Sequence, residues 1–374
     1  MDNMEEKLPN FTTISAGAWN DLSDAEMTAD RAIAYLQEDF PLRSFWEMLT
    51  QLYPQPDLRE KLAAALCAYS DLSRDSVRRK IALWEKGTYM PTERSELYRI
   101  CFALELDEIK SNSLFQSCSE SLIHYRDPDE VVFVFCLRNG IPYPEALEIQ
   151  AQVHALGHRS ESSAEAGYTK LLRDELQTVR SVDSLIQYFQ KNIEKMGSFH
   201  RTAYEVFKKG IDTLMMPDTA IGSAEKKYSL EEIADIYLRF GMPSEKNTQQ
   251  YSTIQKLLKK HWPNRTMIKN MYSRTIDVNR KTLLLLYLIT DGLQEDDGEY
   301  AEFEEDYITP AERMEQHYWR INLMLDACGM SRLDVRSPFD WLVLYALKTD
   351  TDEDSDQKIQ QAIRKLFGGN ELDG

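Results

Sequence analysis

The chain has 374 residues, with 44 basic against 62 acidic side chains, a net charge of −18 and 43% hydrophobic residues. That length holds two or three ordinary domains with real cores. Only 15 Gly and 13 Pro exclude collagenous and low-complexity classes, and 6 Trp, 19 Tyr and 14 Phe speak against wholesale disorder.

An acidic total disfavours whole-surface contact with polyanions, so nucleic-acid or anionic-membrane binding would have to come from a local patch. No apolar run approaches the roughly 20 residues that cross a bilayer. The opening, MDNMEEKLPNF, is acidic where a signal peptide would be basic and then apolar. Cys67, Cys101, Cys118, Cys136 and Cys328 are sparsely spread and read as reduced core thiols, which points to a cytoplasmic protein.

Residues 1–55 form an acidic lead-in, loose to about residue 20 and then a helix or two. Leu58 to Tyr69 places Leu58, Leu62, Ala65, Leu66 and Tyr69 on one helical face. Arg74 to Gly87 reads as a second helix, with Val77, Ile81 and Trp84 as the buried stripe and Arg74, Arg78 and Lys80 on the opposite, broad face. A third helix, Glu93 to Leu104, carries Leu97, Ile100, Cys101 and Leu104 inward. Val131 to Val134 could pass for a strand, but Pro128, Asp129 and Glu130 before it and Arg138 and Gly140 after it are helix start and stop signals. No βαβ alternation or hairpin signal occurs, so the expected class is all-α.

Trp84-Glu85-x-Gly87-x-x-x-Pro91, followed by the helix ending Phe102-Ala103-Leu104-x-Leu106, resembles the Xre or lambda-repressor-like helix-turn-helix family over about residues 58–106. The resemblance implies that the helix before Trp-Glu-x-Gly is a recognition helix. Arg78, Arg79 and Lys80 would then face the major groove, with Arg74, Lys86 and Arg94 towards phosphates.

His158 to Gly167 is a polar linker candidate closing a first repeat at 56–157. Residues 168–225 form a middle segment, read as two long helices joined near Gly197. A second repeat covers 226–374. Without a gap, Cys118 meets Cys328, Arg126 meets Arg336, Pro128 meets Pro338, Glu130 meets Asp340 and Arg138 meets Lys348. At a different offset Arg94 meets Arg280. The mismatch implies about 24 extra residues in the second copy, which the acidic stretch 291–307 would supply. Pro, Arg and a following acid are not core residues, so their agreement goes beyond matched apolar periods.

Within Ile254–Leu283 eight cations face one acid, and Lys259, Lys260, Arg265, Lys269, Arg274, Arg280 and Lys281 are expected to form a second basic face for DNA. The acidic insertion could fold back on that face. Ser337 is placed to cap a helix, with Asp340 in capping-box position. Phe339, Trp341 and Tyr345 read as core rather than a partner patch.

Catalytic patterns are missing: no P-loop, GxGxxG, nucleophile elbow or HExxH occurs. His154 and His158 share a helical face, but no third ligand completes a metal site. The expectation is a non-enzymatic DNA-associated regulator without cofactor or metal, touching no membrane and conceivably dimeric. A helical protein–protein adaptor is the alternative, and a metal-dependent hydrolase built on scattered carboxylates is a third class.

Overall fold

The computed structural model describes residues 13–24, 27–42, 44–87, 89–91, 93–119, 121–157, 168–197, 199–216, 227–244, 249–290, 309–348 and 355–368. Among these the structure is helical throughout, with nineteen α-helices and no strand. In chain order the helices are α1 (Thr13–Ser23), α2 (Ala29–Ala34), α3 (Phe45–Leu52), α4 (Leu58–Tyr69), α5 (Arg74–Glu85), α6 (Arg94–Ala103), α7 (Glu108–Cys118), α8 (Pro128–Asn139), α9 (Tyr143–His154), α10 (Tyr168–Leu176), α11 (Val182–Asn192), α12 (Arg201–Met215), α13 (Leu230–Ile236), α14 (Thr253–Lys259), α15 (Arg265–Tyr272), α16 (Arg280–Thr290), α17 (Pro310–Ala327), α18 (Pro338–Leu347) and α19 (Ser355–Leu366). A π-helical turn, Tyr35–Asp39, extends α2. No described helix is long and apolar enough to cross a membrane.

The chain divides into two units. Unit 1 holds residues 1–42, 203–327 and 332–374, and unit 2 holds 43–202 with the short piece 328–331. These boundaries differ from the expected ones. The lead-in is divided at Leu42, since α1 and α2 join unit 1 and α3 joins unit 2. The middle segment is no separate layer: α10 and α11 belong to unit 2, and α12 from Ala203 onward belongs to unit 1. Nor does 168–216 form two long helices. Ser181 breaks the first of them, its side chain accepting from the Ser184 amide in a capping box that restarts the chain as α11. The expected linker 158–167 and the acidic stretch 291–307 lie outside the described residues.

In unit 2, α8 forms because Asp127 caps the Asp129 and Glu130 amides, Pro128 occupies the first turn, and Gly140 ends the helix at φ +66°. Its Val131, Val132, Val134, Phe135 and Cys136 are fully enclosed, so the run that resembled a strand is a buried helix. The hydrophobic core continues through α3–α7, α9 and α11. Residues 328–331 contribute a main-chain bridge between Ser121 and Met330 and a bond from the Ser331 hydroxyl to the Ser119 carbonyl, 3.0 Å.

Three hydrogen bonds recur at the offset of 210 residues. In unit 2 the Ile123 amide donates to Asn112 Oδ1 (3.2 Å), the His124 amide to Glu130 Oε2 (2.7 Å) and the Asp127 amide to the His124 carbonyl (2.9 Å). In unit 1 the Leu333 amide donates to Asn322 Oδ1, the Asp334 amide to Asp340 Oδ2 and the Ser337 amide to the Asp334 carbonyl, each at 2.8 Å. Phe339, Trp341 and Tyr345 lie in the core of α18. Ser337 caps that helix, but the Asp340 side chain is drawn away to Arg280 and does not close a capping box.

Candidate nucleic-acid interface

The helix α5 is fixed by its apolar stripe. Val77, Ile81 and Trp84 are buried, and the Trp84 ring meets Phe45 of α3 edge-on at 5.2 Å between centroids. Ser73 starts the helix by accepting from the Ser76 amide, and Gly87 ends it at φ +66°. Two ion pairs tie the helix to its neighbours: Arg59 of α4 to Glu85 at 3.2 Å, and Lys80 to Glu96 of α6 at 2.5 Å.

With that stripe buried, the opposite side of α5 faces solvent. Arg74, Arg78, Arg79 and, just past the helix end, Lys86 are exposed, and among the described residues none of them has a carboxylate within ion-pair distance. The Arg79 guanidinium donates only to the Asp75 carbonyl one turn back, 3.3 Å. Leu83, 45% exposed, stands one turn beyond Arg79. Four cations on two successive turns and one adjoining residue thus keep their charge for an external anion.

Lys80 is not one of them. It is half-buried against Glu96, so its expected place in the groove is corrected to an internal pair. Arg94 is corrected further. Its guanidinium makes a bidentate pair with Glu130, donates to both the hydroxyl and the carbonyl of Ser121, to the Ser119 hydroxyl and to the Leu122 carbonyl, and lies over the Phe115 ring. Burial works against that charge, but the Glu130 carboxylate holds the guanidinium above its ordinary range. No donor is left for a phosphate.

The expected second basic face is largely consumed in the same way. Arg280 is buried in a bidentate pair with Asp340 at 2.7 and 2.8 Å and donates to the Arg332 carbonyl, the counterpart of Leu122. The buried Lys281 ammonium spends its three protons on the carbonyls of Leu257, Leu258 and Lys260, where it caps the end of α14. Lys259 donates to the Pro243 carbonyl and sits over the Tyr251 ring. Arg265 pairs with Asp235, whose carboxyl is held below its usual range by hydrogen bonds from that guanidinium. Arg274 stacks on Tyr204, 4.8 Å from the ring centroid. Lys260 and Lys269 remain exposed without an ion pair among the described residues, too few and too separated to form a face.

His154 Nε2 lies 2.6 Å from Asp129 Oδ1, and His158 falls outside the described residues. No group of three or more metal-ligating side chains occurs among the described residues. Cys101, Cys136 and Cys328 are buried, and burial pushes each thiol up to about 12, which suits packing rather than nucleophilic attack. Compared with known proteins, the chain matches no family model, no curated relative and no solved structure.

Proposed function

We propose that the protein binds duplex nucleic acid through the exposed face of α5, as a DNA-associated regulator. The carrying observation is the set Arg74, Arg78, Arg79 and Lys86, displayed by a helix whose other face is locked into unit 2, with no carboxylate partner for any of the four among the described residues. Arg offers planar, multidentate donors suited to phosphate oxygens and guanine edges. The short turn between α4 and α5 and the enclosure of Trp84 are what a helix-turn-helix needs to present one helix outward.

Four phosphate-directed cations give a log–log salt slope of about −4, or a loss of roughly a hundredfold between 50 and 200 mM salt. Titration of fluorescent duplex DNA across that range is the test. Arg78→Glu with Arg79→Glu should weaken binding at least tenfold and flatten the slope by about 2. Lys260→Glu with Lys269→Glu should leave both nearly unchanged. Affinity that is absent at low salt, or indifferent to the first pair, overturns the reading.

One observation favours the adaptor alternative: Trp319 and Leu323, one turn apart on α17, are 41% and 69% exposed. An adaptor would lose partner capture on Trp319→Ala and keep it after reversal of Arg78 and Arg79.

A further inference from the structure

The two cations that the repeat alignment matches outside the Arg94–Glu130 and Arg280–Asp340 pairs, Arg126 with Arg336 and Arg138 with Lys348, have the same employment in both units. In unit 2, Arg138 donates to the Leu176 carbonyl at the end of α10 (3.0 Å), and Arg126 donates to the Lys195 carbonyl just past α11 (2.9 Å). They grip a helical hairpin, residues 168–197, at its turn and its exit. In unit 1, Lys348 donates to the carbonyls of Leu22 (2.9 Å) and Asp24 at the end of α1, and Arg336 donates to those of Pro41 (3.0 Å) and Leu42 (3.3 Å) beyond α2. The gripped segment here is residues 13–42.

The segments also match in sequence and burial. Ala29-Asp30-Arg31-Ala32-Ile33-Ala34-Tyr35-Leu36-Gln37 aligns with Val182-Asp183-Ser184-Leu185-Ile186-Gln187-Tyr188-Phe189-Gln190, sharing Asp, Ile, Tyr and Gln. Thr28 and Ser181 cap the two helices at equivalent positions. Ala32 and Leu185, Leu36 and Phe189, and Leu22 and Leu176 are enclosed in pairs. Tyr35 stacks on Trp341 at 5.2 Å, and Lys365 of α19 meets Asp30 at 2.6 Å. The order along the chain, however, is reversed. In unit 2 the segment 168–197 follows α8 and α9 in the chain, whereas the segment of unit 1 comes ahead of α3, separated in sequence from α18 and α19 by residues 43–202 of unit 2.

We propose that the α18–α19 face of unit 1 is a docking surface whose single occupant is the chain's own two-helix segment, residues 13–42, and that this segment is held as a separable ligand that stays bound without its peptide connection to α3. Attachment is by side-chain recognition: two main-chain carbonyl pairs gripped by Arg336 and Lys348, an aromatic stack and an apolar seam. None of these depends on the peptide connection to α3. The inference is independent of nucleic-acid binding.

The test uses the full chain with a specific protease site placed at position 43. After cleavage, residues 1–42 should co-elute with the remainder, and excess fluorescent peptide 13–42 should exchange into the complex. The same peptide carrying Leu36→Asp should compete at least tenfold less well, a comparison that does not depend on the folding of a protein variant. Arg336→Ala with Lys348→Ala should release the fragment at least tenfold faster, while Arg126→Ala with Arg138→Ala should not. Immediate loss of the fragment from the unmodified protein, retention without exchange over days, or equal competition by the Leu36→Asp peptide each overturns the proposal.

Discussion

Helices α5 and α15 end alike and behave differently. In α5 the Lys86 and Gly87 amides return to the Ala82 and Trp84 carbonyls, and in α15 the Ser273 and Arg274 amides return to those of Lys269 and Met271. Both bury an apolar stripe. The second region has the larger excess of bases, yet the first keeps the exposed set. Around α15 the structure supplies acceptors for most cations: Asp235 for Arg265, Asp340 for Arg280, three carbonyls for Lys281 and the Tyr204 ring for Arg274. Around α5, among the described residues, it supplies one for Lys80 and none for Arg74, Arg78 or Lys86. A count of bases measures charge, whereas binding depends on which bases have no internal acceptor.

The largest expected effect concerns the clamp both units share. Truncating one partner of a buried ion pair strands the other charge and costs about 3–5 kcal/mol. The Arg280–Asp340 pair is the more enclosed, with side chains 9% and 2% exposed against 29% and 9% for Arg94–Glu130. Arg280→Ala is therefore expected at the top of that range and Arg94→Ala nearer its bottom, where water reaches the orphaned Glu130. Urea unfolding with amide exchange read separately at α16 and α6 checks the order. Equal losses would show that the two clamps are equivalent despite their burial.

Much of this clamp was within reach of the sequence. The alignment paired Arg94 with Arg280 and Glu130 with Asp340, and a base and an acid that recur together in both copies are the mark of an internal pair. The helix-turn-helix resemblance instead turns Arg94 towards phosphates, and the cation count does the same for Arg280, because neither carries information about the nearest acceptor. The stripe Val77, Ile81 and Trp84 and the start and stop of α8 were legible because helical period, Pro, Asp and Gly act locally. The segment 13–42 was not, since it precedes its copy in the chain whereas its counterpart 168–197 follows its own, and the nine-residue similarity is visible only once Arg336 and Lys348 are seen to hold it.

A pH experiment sharpens the comparison at the cap of α8. Burial, then the neighbouring Glu130 and Asp129 charges, push the Asp127 carboxyl up to about 6, against an ordinary value near 4. Its counterpart in unit 1 is Ser337, which has no proton to lose in this range. Between about pH 4 and 6 native Asp127 holds a proton that the unfolded chain has released. Its contribution to stability therefore falls as pH rises through that window and is flat above it. His124 works in the opposite direction: burial, His200, Arg126 and Arg94 lower its imidazole well below the ordinary range, so its contribution is lost as pH falls below about 6.5. Subtracting the profile of Asp127→Ser from that of the unmodified protein isolates the first effect. The variant should be more stable at pH 7 by about 1–2 kcal/mol, the gain from removing a buried charge less the weaker cap, and the difference should vanish towards pH 4.

The smallest effect separates the two helix ends. Gly87 at φ +66° has nothing within 4 Å of where a Cβ would stand, so Gly87→Ala meets only backbone strain, about 1 kcal/mol. Arg274 occupies the same position at φ +55° and already bears that strain. Arg274→Gly relieves it but forfeits the stack on Tyr204, worth about 0.5–1 kcal/mol at a half-exposed site. The expected result is a clear loss at Gly87 and a change within about 0.5 kcal/mol at Arg274, read by urea midpoints. A gain near 1 kcal/mol at Arg274 would mean that the Tyr204 stack contributes nothing. Arg274 would then join Lys260 and Lys269 as an available cation, and the contrast between α15 and α5 would narrow by one residue.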